Sequence, residues 1–362
     1  MSNWPDWLPL RDQLRPLTPY GAPQVPATAR MNTNENPYGP SKELSNAIAT
    51  RIADVAQSLN RYPDRDCLKL REGLAAFLNS LSGTDLNLEN IWVANGSNEI
   101  LQSVFLAFGS RLALGFTPSY SMHPLIAKVA SVDWVDGARR KNFSLDTEQA
   151  LNQIEELKPA LTFVTTPNNP TGTSVSITDL EKLAAKCKSI NGLLVIDEAY
   201  AEFSRQPSAI TLIGKFPNVL VSRTMSKAFA FAGARVGYLA ANKEAIAALQ
   251  LVRLPYHLSA LTQAAAEVAL DFKEQLLSEV RQLVQDRDHM IEDLHSLGLT
   301  VIPSDANFLL FTGFKVPSND LWQRLLAEGV LIRDVGLPGY LRVTIGNGAE
   351  NQAFLTALKG AL

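Results

Sequence analysis

Short, continuously apolar runs that alternate with helical patterns are the feature of this 362-residue sequence that most limits its possible folds. The runs lie at 91–94, 112–116, 132–135, 161–164, 193–196, 219–221 and 237–240. A strand that is covered by helices on both faces of a parallel sheet is apolar along its whole length rather than alternating. The pattern therefore predicts an α/β fold whose large lobe holds these seven runs in a mostly parallel sheet covered by helices.

The segments before and after this pattern predict two further parts of the chain. Residues 1–40 are rich in proline and carry Trp4 and Trp7. Because each proline lacks a backbone donor, this segment favours neither a long helix nor a central strand. We interpret it as an N-terminal arm that packs on the small lobe or on a second subunit. Residues 41–260 are then the large domain.

Residues 261–362 are predicted to form a smaller α+β domain. A helical pattern runs from 261 to 297, where Gly298 is a plausible stop. Strand patterns at 300–303, 307–311, 330–332 and 340–345 and a helical pattern at 320–328 follow.

Composition narrows the class of ligand. The chain is 46% hydrophobic and 19% charged, which is typical of a soluble globular protein. Its net charge of -3 offers no basic surface for nucleic acid or an anionic membrane, so we expect small-molecule partners. No signal peptide or membrane span is recognisable, which predicts a cytoplasmic protein. The two cysteines and four histidines lack metal-binding spacing, so no metal is expected.

Lys227 belongs to the stretch 222–235, which directly follows the apolar run 219–221. Residues 228–234 carry no charge, whereas the solvated face of a helix has charges every three or four positions. Burial disfavours an ammonium ion and lowers its pKa, which leaves an amine that attacks carbonyl compounds. The alternative is a surface lysine at the corner between a strand and a loop.

Polar clusters follow other apolar runs, at the sheet edge where α/β proteins bind ligands. Asp197 ends the run 193–196, either as a helix N-cap or as a carboxylate that pairs with a protonated ring nitrogen. Asn169 lies in a turn after 161–164. The sequence at 96–98 opens an apparent helix, which suits a phosphate but is also found at many ordinary helix starts.

Together these clusters resemble the fold type I pyridoxal-phosphate aminotransferases. They read Gly-Ser-Asn at 96–98, Asn-Asn-Pro-Thr-Gly at 168–172, Asp-Glu-Ala-Tyr at 197–200 and Thr-Met-Ser-Lys at 224–227. Within the class-II branch, the closest resemblance is to the histidinol-phosphate aminotransferases. The sequences that carry it are NENPYGP at 34–40, RYP at 61–63, RTMSKAF at 223–229, LIRD at 331–334 and RVTIG at 342–346.

The resemblance, which covers nearly the whole chain, implies roles for single residues. Lys227 would form the Schiff base with pyridoxal 5'-phosphate and then shuttle a proton on the substrate. Asp197 would hold the pyridine nitrogen protonated. Tyr200 and Asn169 would bind the phenolic oxygen, and Tyr120 would stack on the ring.

The resemblance also implies a phosphate site and a shared active site. The cofactor phosphate would be bound by Ser97, Asn98, Thr224, Ser226 and Arg235. Tyr62 would reach the same phosphate from the neighbouring subunit of a two-fold homodimer.

Substrate anions require separate cations. The resemblance assigns Arg342 to the substrate phosphate or carboxylate, with Arg333 and Tyr20 assisting. For Arg333 an ion pair with Asp334 or a plain surface position stays open. The implied reaction is transamination of L-histidinol phosphate with 2-oxoglutarate to imidazole acetol phosphate and glutamate, a step of histidine biosynthesis.

Two other functions remain open, and a third is disfavoured. An aromatic-amino-acid aminotransferase acting on phenylalanine shares the motifs, and a phospho-amino-acid decarboxylase shares the scaffold. A transcriptional regulator with an aminotransferase-like domain would need a DNA-binding segment, for which the arm is too short and too rich in proline. The chain departs from the family pattern at 108–111, where a longer glycine-rich turn is usual.

Overall fold

The structure, a computed structural model, describes residues 4–362. Its strands are β1 (Ala29–Arg30), β2 (Ile91–Ala94), β3 (Ala113–Thr117), β4 (Trp134–Ala138), β5 (Leu161–Thr165), β6 (Leu193–Asp197), β7 (Val219–Thr224), β8 (Gly237–Ala241), β9 (Thr300–Val301), β10 (Phe308–Thr312), β11 (Val330–Leu331) and β12 (Leu341–Thr344). Its α-helices are α1 (Lys42–Ala56), α2 (Leu68–Ser82), α3 (Ser97–Phe108), α4 (Met122–Val129), α5 (Thr147–Leu157), α6 (Ile177–Ser189), α7 (Lys243–Leu249), α8 (Ala260–Asp271), α9 (Lys273–Ser296), α10 (Ser318–Ala327) and α11 (Gly348–Ala361).

The large lobe is built on a seven-stranded sheet with strand order β2-β8-β7-β6-β5-β3-β4. Strand β8 runs antiparallel to both its neighbours, and the other pairings are parallel. The prediction of a mostly parallel α/β sheet is confirmed.

The sheet separates two hydrophobic layers. Val164, Ile196 and Val221 point into one cluster, and the neighbouring positions on the same strands point into the other. Because both faces are covered, the central strands are mostly apolar without alternation, and the polar residues of the predicted site lie at or just beyond the strand ends. This arrangement places the chemistry at the carboxyl edge of the sheet.

The small lobe contains the antiparallel sheet β12-β10-β9, packed with α9, α10 and α11. The two-residue strand β1 pairs with β11 in parallel, and the Thr344 N–H donates to the Met31 carbonyl. The segment before the first long helix is therefore joined to this lobe by backbone hydrogen bonds. The predicted division at residues 40 and 260 stays a prediction.

The N-terminal segment also touches the large lobe. Arg11 and Gln13 donate to the Ser131 hydroxyl, and Gln13 also bonds the Lys128 carbonyl at the end of α4. The chain between these contacts and β1 consequently passes from one lobe to the other, with Tyr20 on the way.

Two of the differences from the predicted element boundaries have a local cause in the backbone. Strand β4 begins two residues later than the predicted run, because Ser131, with φ of 60°, first turns the chain out of α4. The predicted helix 261–297 is two helices, which meet at Phe272 with φ of -100° and ψ of 15°. At the abbreviated turn, residues 109–112 connect α3 to β3. Within residues 4–362 no helix combines the length and apolarity needed to cross a membrane.

Candidate active site

A cavity of about 330 Å³ lies at the carboxyl ends of β5, β6 and β7, bounded on one side by the small lobe. Thirteen of the predicted site residues line it. They are Tyr20, Ser97, Asn98, Tyr120, Asn169, Asp197, Tyr200, Thr224, Ser226, Lys227, Arg235, Arg333 and Arg342. Residues from the ends of five strands (β2, β3, β5, β6 and β7), the small lobe and the N-terminal segment thus meet at one place.

Lys227 follows β7 and carries the amine of the site. Its Nζ donates to the Thr33 carbonyl at 2.8 Å. Burial, reinforced by the positive charges of Arg342 and Arg235, lowers the pKa of Lys227 to about 8. About a tenth of a lysine with this pKa is the neutral, nucleophilic amine at pH 7, far more than for a lysine with its ordinary pKa.

Asp197 ends β6 and is almost fully buried. Its Oδ2 lies 3.0 Å from Nε2 of His123, and its Oδ1 accepts from the Ala199 N–H at 3.3 Å. The N-cap of the following short helix is Tyr200, not Asp197. The carboxylate therefore faces the cavity with a histidine behind it, rather than serving as a helix cap.

Tyr200 is connected to Arg342 by two hydrogen bonds that share Asn169. Its hydroxyl accepts from Asn34 Nδ2 at 2.9 Å and from Asn169 Nδ2 at 3.4 Å. Burial raises the pKa of Tyr200 to about 12, so the phenol is neutral and keeps its proton. Asn169 Oδ1 accepts from Arg342 Nη1 at 2.5 Å, which links the large lobe to the small one.

Tyr120 stands on the loop before α4. Its hydroxyl donates to Asn98 Oδ1 at 3.2 Å, and its ring packs edge-on against His123. Burial raises the pKa of Tyr120 above its ordinary value. The aromatic face is thereby fixed beside the carboxylate at the end of β6.

One end of the cavity contains hydrogen-bond donors suited to an anion. Gly96 is the N-cap residue of α3 and has no side chain that could accept a hydrogen bond from the first turn. The N–H groups of Ser97 and Asn98 have no acceptor within residues 4–362. Thr224 Oγ1 donates to Ser226 Oγ at 3.0 Å, and Arg235 Nη1 reaches the same Ser226 oxygen at 3.3 Å. Backbone donors, hydroxyls and a guanidinium converge here.

The small lobe contributes two further cations. Arg342 Nη2 donates to the Asn32 carbonyl at 2.7 Å, and its buried Nε has no partner among the described residues. Burial lowers the pKa of Arg342 to about 10, with the Arg333 charge acting in the same direction. Arg333 pairs with Arg342 through two backbone hydrogen bonds. Asp334 accepts from the Gly336 N–H and forms no ion pair with Arg333 in the described chain.

Comparison with known proteins identifies the family. The model of "Aminotransferase class I and II" matches residues 28–358. This chain belongs to that aminotransferase family. It is 53% identical to a protein of Mycolicibacterium smegmatis named histidinol-phosphate aminotransferase, over 97% of this chain and 92% of that protein.

Solved aminotransferase structures have the same fold. A histidinol-phosphate aminotransferase from Clostridium acetobutylicum superposes with a TM-score of 0.82 at 26% identity, covering 92% of this chain and 98% of that one. The Sinorhizobium meliloti histidinol-phosphate aminotransferase, solved in complex with pyridoxal-5'-phosphate, gives 0.80 at 25% identity, with 93% and 91% covered. The fold is therefore that of fold type I aminotransferases.

Tyr62 is the one predicted site residue that does not line the aminotransferase cavity. Its side chain is 79% exposed and stacks on Tyr256, with ring centroids 4.5 Å apart. A single chain does not bring it to the phosphate end.

Sequence reasoning missed several residues at this site. His123 and Asn34 touch predicted site residues directly, and the Thr33 and Asn32 carbonyls accept from Lys227 and Arg342. The position of His123, three residues after Tyr120, is the kind of spacing that puts two side chains on one face of a turn. No group of three or more His, Cys, Asp or Glu suited to a metal occurs within residues 4–362.

Proposed function

We propose that this aminotransferase uses pyridoxal 5'-phosphate to transfer an amino group from L-histidinol phosphate to 2-oxoglutarate, giving imidazole acetol phosphate and glutamate in histidine biosynthesis. The observation that carries the proposal is the pair of separate cationic groups in one cavity, Arg235 on one side and Arg333 with Arg342 on the other, near the amine of Lys227. One group suits the cofactor phosphate and the other suits the substrate anion. The full-length similarity to histidinol-phosphate aminotransferases supports this choice of substrate.

The residues present fit the cofactor. The phosphate end offers the donors described above, and the backbone is unusually close there: a Cβ on Gly96 would overlap the Arg235 guanidinium, and one on Gly237 would overlap the backbone of Gly96 and Ser97. Glycine at both positions lets donors approach an anion closely. Ser97, Asn98, Thr224, Ser226 and Arg235 would hold the phosphate.

The other half of the cofactor site suits an aromatic ring with a basic nitrogen. Asp197 is a buried carboxylate whose natural partner is a cationic N–H. Tyr200 and Asn169 supply hydrogen-bond donors, and Tyr120 supplies a ring face. These four residues would hold the ring in one orientation.

Pyridoxal phosphate supplies an aldehyde that reacts with amines and a ring that accepts an electron pair from the substrate α-carbon. Lys227 provides the amine that holds the cofactor and, once displaced by the substrate amine, a base that moves the α-proton. Its pKa of about 8 allows both roles, because the neutral and protonated forms are both accessible near neutral pH.

Arg342 would bind the phosphate of the amino donor and, in the second half of the reaction, a carboxylate of 2-oxoglutarate. Arg342 lines the cavity, and its Nη1 and Nη2 groups each keep one further N–H beyond the bonds to Asn169 and Asn32. Arg333 would add charge from the neighbouring strand position, and the half-exposed Tyr20 would close the cavity on the solvent side.

The active unit is, in this proposal, a homodimer in the cytoplasm. Leu251 and Leu254 are 86% and 75% exposed, and with Tyr62 and Tyr256 they form an apolar surface of the kind that subunit interfaces bury. Tyr62 on this surface would reach the phosphate of the neighbouring site. Mixing Lys227→Ala with Tyr62→Ala protein should then restore part of the activity, whereas two independent sites would restore none.

The substrate is tested by a single half-reaction. Cofactor-loaded protein is mixed rapidly with L-histidinol phosphate or with L-phenylalanine, without any 2-oxo acid, and the change in cofactor absorbance is followed. We expect the reaction with L-histidinol phosphate to be much faster. Equal or reversed rates would favour an aromatic-amino-acid aminotransferase, and CO₂ release from an O-phosphorylated amino acid would favour a decarboxylase.

A further inference from the structure

Tyr200 lies at the centre of an ordered hydrogen-bond network that begins in the small lobe. The Asn34 N–H donates to Thr344 Oγ1 at 3.0 Å, and Thr344 Oγ1 donates to Asn34 Oδ1 at 3.0 Å. Asn34 Nδ2 then donates to the Tyr200 hydroxyl at 2.9 Å. All three side chains are buried, so water does not compete for these bonds.

The direction of each hydrogen in this network follows from its neighbours. One lone pair of Thr344 Oγ1 is occupied by a backbone N–H, and its hydroxyl hydrogen points to Asn34 Oδ1. This hydrogen fixes the carbonyl of the Asn34 amide on the Thr344 side, and its NH₂ group must face Tyr200. On the other side, Arg342 fixes the carbonyl of Asn169 and turns that NH₂ group to Tyr200 as well.

Two amide donors therefore point at one phenol oxygen. Tyr200 cannot donate to either of them, and within residues 4–362 it donates to no other acceptor. Since the residue lines the cavity, its O–H hydrogen is left for an acceptor inside the cavity.

We propose that Thr344 and Asn34 are positioning residues that set the direction of the Tyr200 hydrogen bond, so that Tyr200 donates to the cofactor oxygen it faces. The backbone conformation of Asn34 fits this task. Its φ of 55° is left-handed, and its carbonyl is held by Asn307 Nδ2 at 3.2 Å. Asparagine tolerates this conformation while presenting an amide that donates with one end and accepts with the other.

The inference rests on the cofactor part of the proposed function and not on the identity of the substrate. A hydrogen bond donated to an anionic oxygen favours the deprotonated form of the bound ligand. The other titratable groups that interact with Tyr200 are Arg342, Asp197, Tyr20 and Tyr120, and none of them is altered by the test below.

The test measures the pH midpoint of the visible absorbance change of cofactor bound to the intact protein, in the absence of substrate. In Thr344→Val the shape is kept but the hydroxyl is lost, so the Asn34 amide is free to turn its carbonyl to Tyr200 and compete for the phenol hydrogen. We expect the midpoint to rise by about one pH unit, a tenfold change in the proton equilibrium. Thr344→Ser retains the hydroxyl and should stay within about 0.2 unit of wild type.

Asn34→Gly separates this role from simple packing. Glycine accepts the left-handed backbone and removes the amide without adding an acceptor, so its midpoint should shift less than that of Thr344→Val. A shift in Asn34→Gly as large as in Thr344→Val, or no shift in Thr344→Val, would overturn the inference. A wild-type protein that binds no cofactor would instead overturn the cofactor proposal on which it rests.

Discussion

Asp197 and His123 form a buried pair in which carboxylate Oδ2 lies 3.0 Å from imidazole Nε2. His123 is on α4, whose far end is bonded to the N-terminal segment, and its ring packs against Tyr120 and Phe163. The Asp197 carboxylate is therefore oriented by the side chain of His123, which does not itself contact the cavity. His123 is not one of the residues that line it.

Replacing His123 should weaken cofactor binding without removing a cofactor contact. His123→Leu leaves one oxygen of Asp197 without its partner, which costs about 1–3 kcal/mol when the group is buried. We expect the dissociation constant for pyridoxal phosphate to rise roughly tenfold or more. His289→Leu, an exposed position, is the matched control and should bind as wild type does. Equal binding by the two variants would contradict the role given to His123.

Arg342 should be needed as an arginine and not only as a positive charge. Its Nη1 donates to Asn169 and its Nη2 donates to the Asn32 carbonyl, so two different nitrogens of the guanidinium are used at once. Lysine keeps the charge but loses the planar set of donors. We expect kcat/KM of Arg342→Lys to fall about 10- to 100-fold for both L-histidinol phosphate and glutamate. Arg281→Lys on the exposed face of α9 should change neither value.

Arg223 should contribute more to stability than any exposed arginine. Its guanidinium is buried against Glu198 and Glu202, at 2.9 Å and 2.8 Å. Arg223→Met leaves these carboxylates without their cation and should lower the free energy of unfolding by about 3–5 kcal/mol. Arg205→Met removes the half-exposed pair with Asp288 and should cost less than about 1 kcal/mol. Urea unfolding of both variants checks the difference.

The Arg223→Met deficit should also depend on pH. Burial raises the pKa of Glu202 even with Arg223 present, and the loss of the arginine removes the positive charge that opposes this rise. Such acids bind more protons in the folded state, so stability falls as pH rises through this range. The deficit should be smaller at pH 5 than at pH 8, and a deficit that grows towards pH 5 would contradict this reasoning.

Lys227 should destabilise the cofactor-free protein. Its folded-state pKa is about 8, below its ordinary value, so between about pH 8 and pH 10.5 the unfolded chain binds more protons and stability rises with pH. Below this window the full penalty for burying the ammonium ion is present. Lys227→Met should therefore be more stable than wild type at pH 7, by about 2 kcal/mol, with the difference shrinking by pH 10.5. Thermal unfolding of both cofactor-free proteins at the two pH values measures it.

The sequence predicted the positions of those site residues whose neighbours in the chain indicate the local structure. Asp197, Thr224 and Lys227 follow apolar strands, and parallel strands end at a common edge, so their meeting could be predicted. Asn34 contacts Tyr200 across 166 residues of the chain, and His123 contacts Asp197 across 74 residues. No local sequence pattern encodes either contact. Carbonyl acceptors such as that of Thr33 are invisible for another reason, because every residue type has one.

Element boundaries were less predictable because tertiary packing decides them. A continuous helical pattern extended from 261 to 297, but the chain turns at Phe272, whose ring packs partly buried against the core. Leu68, the first residue of α2, is likewise 48% exposed, whereas Leu70, Leu74 and Phe77 of the same helix are buried.

The proposed function depends most on Lys227 as the residue that binds the cofactor covalently. The most direct measurement is to load the protein with pyridoxal phosphate, reduce it with borohydride and map the modified peptide by mass spectrometry. We predict one modified residue, Lys227, and no reducible link in Lys227→Ala. Modification of a different lysine in the wild type, or an unchanged yield of the reduced adduct in Lys227→Ala, would contradict the role proposed for Lys227.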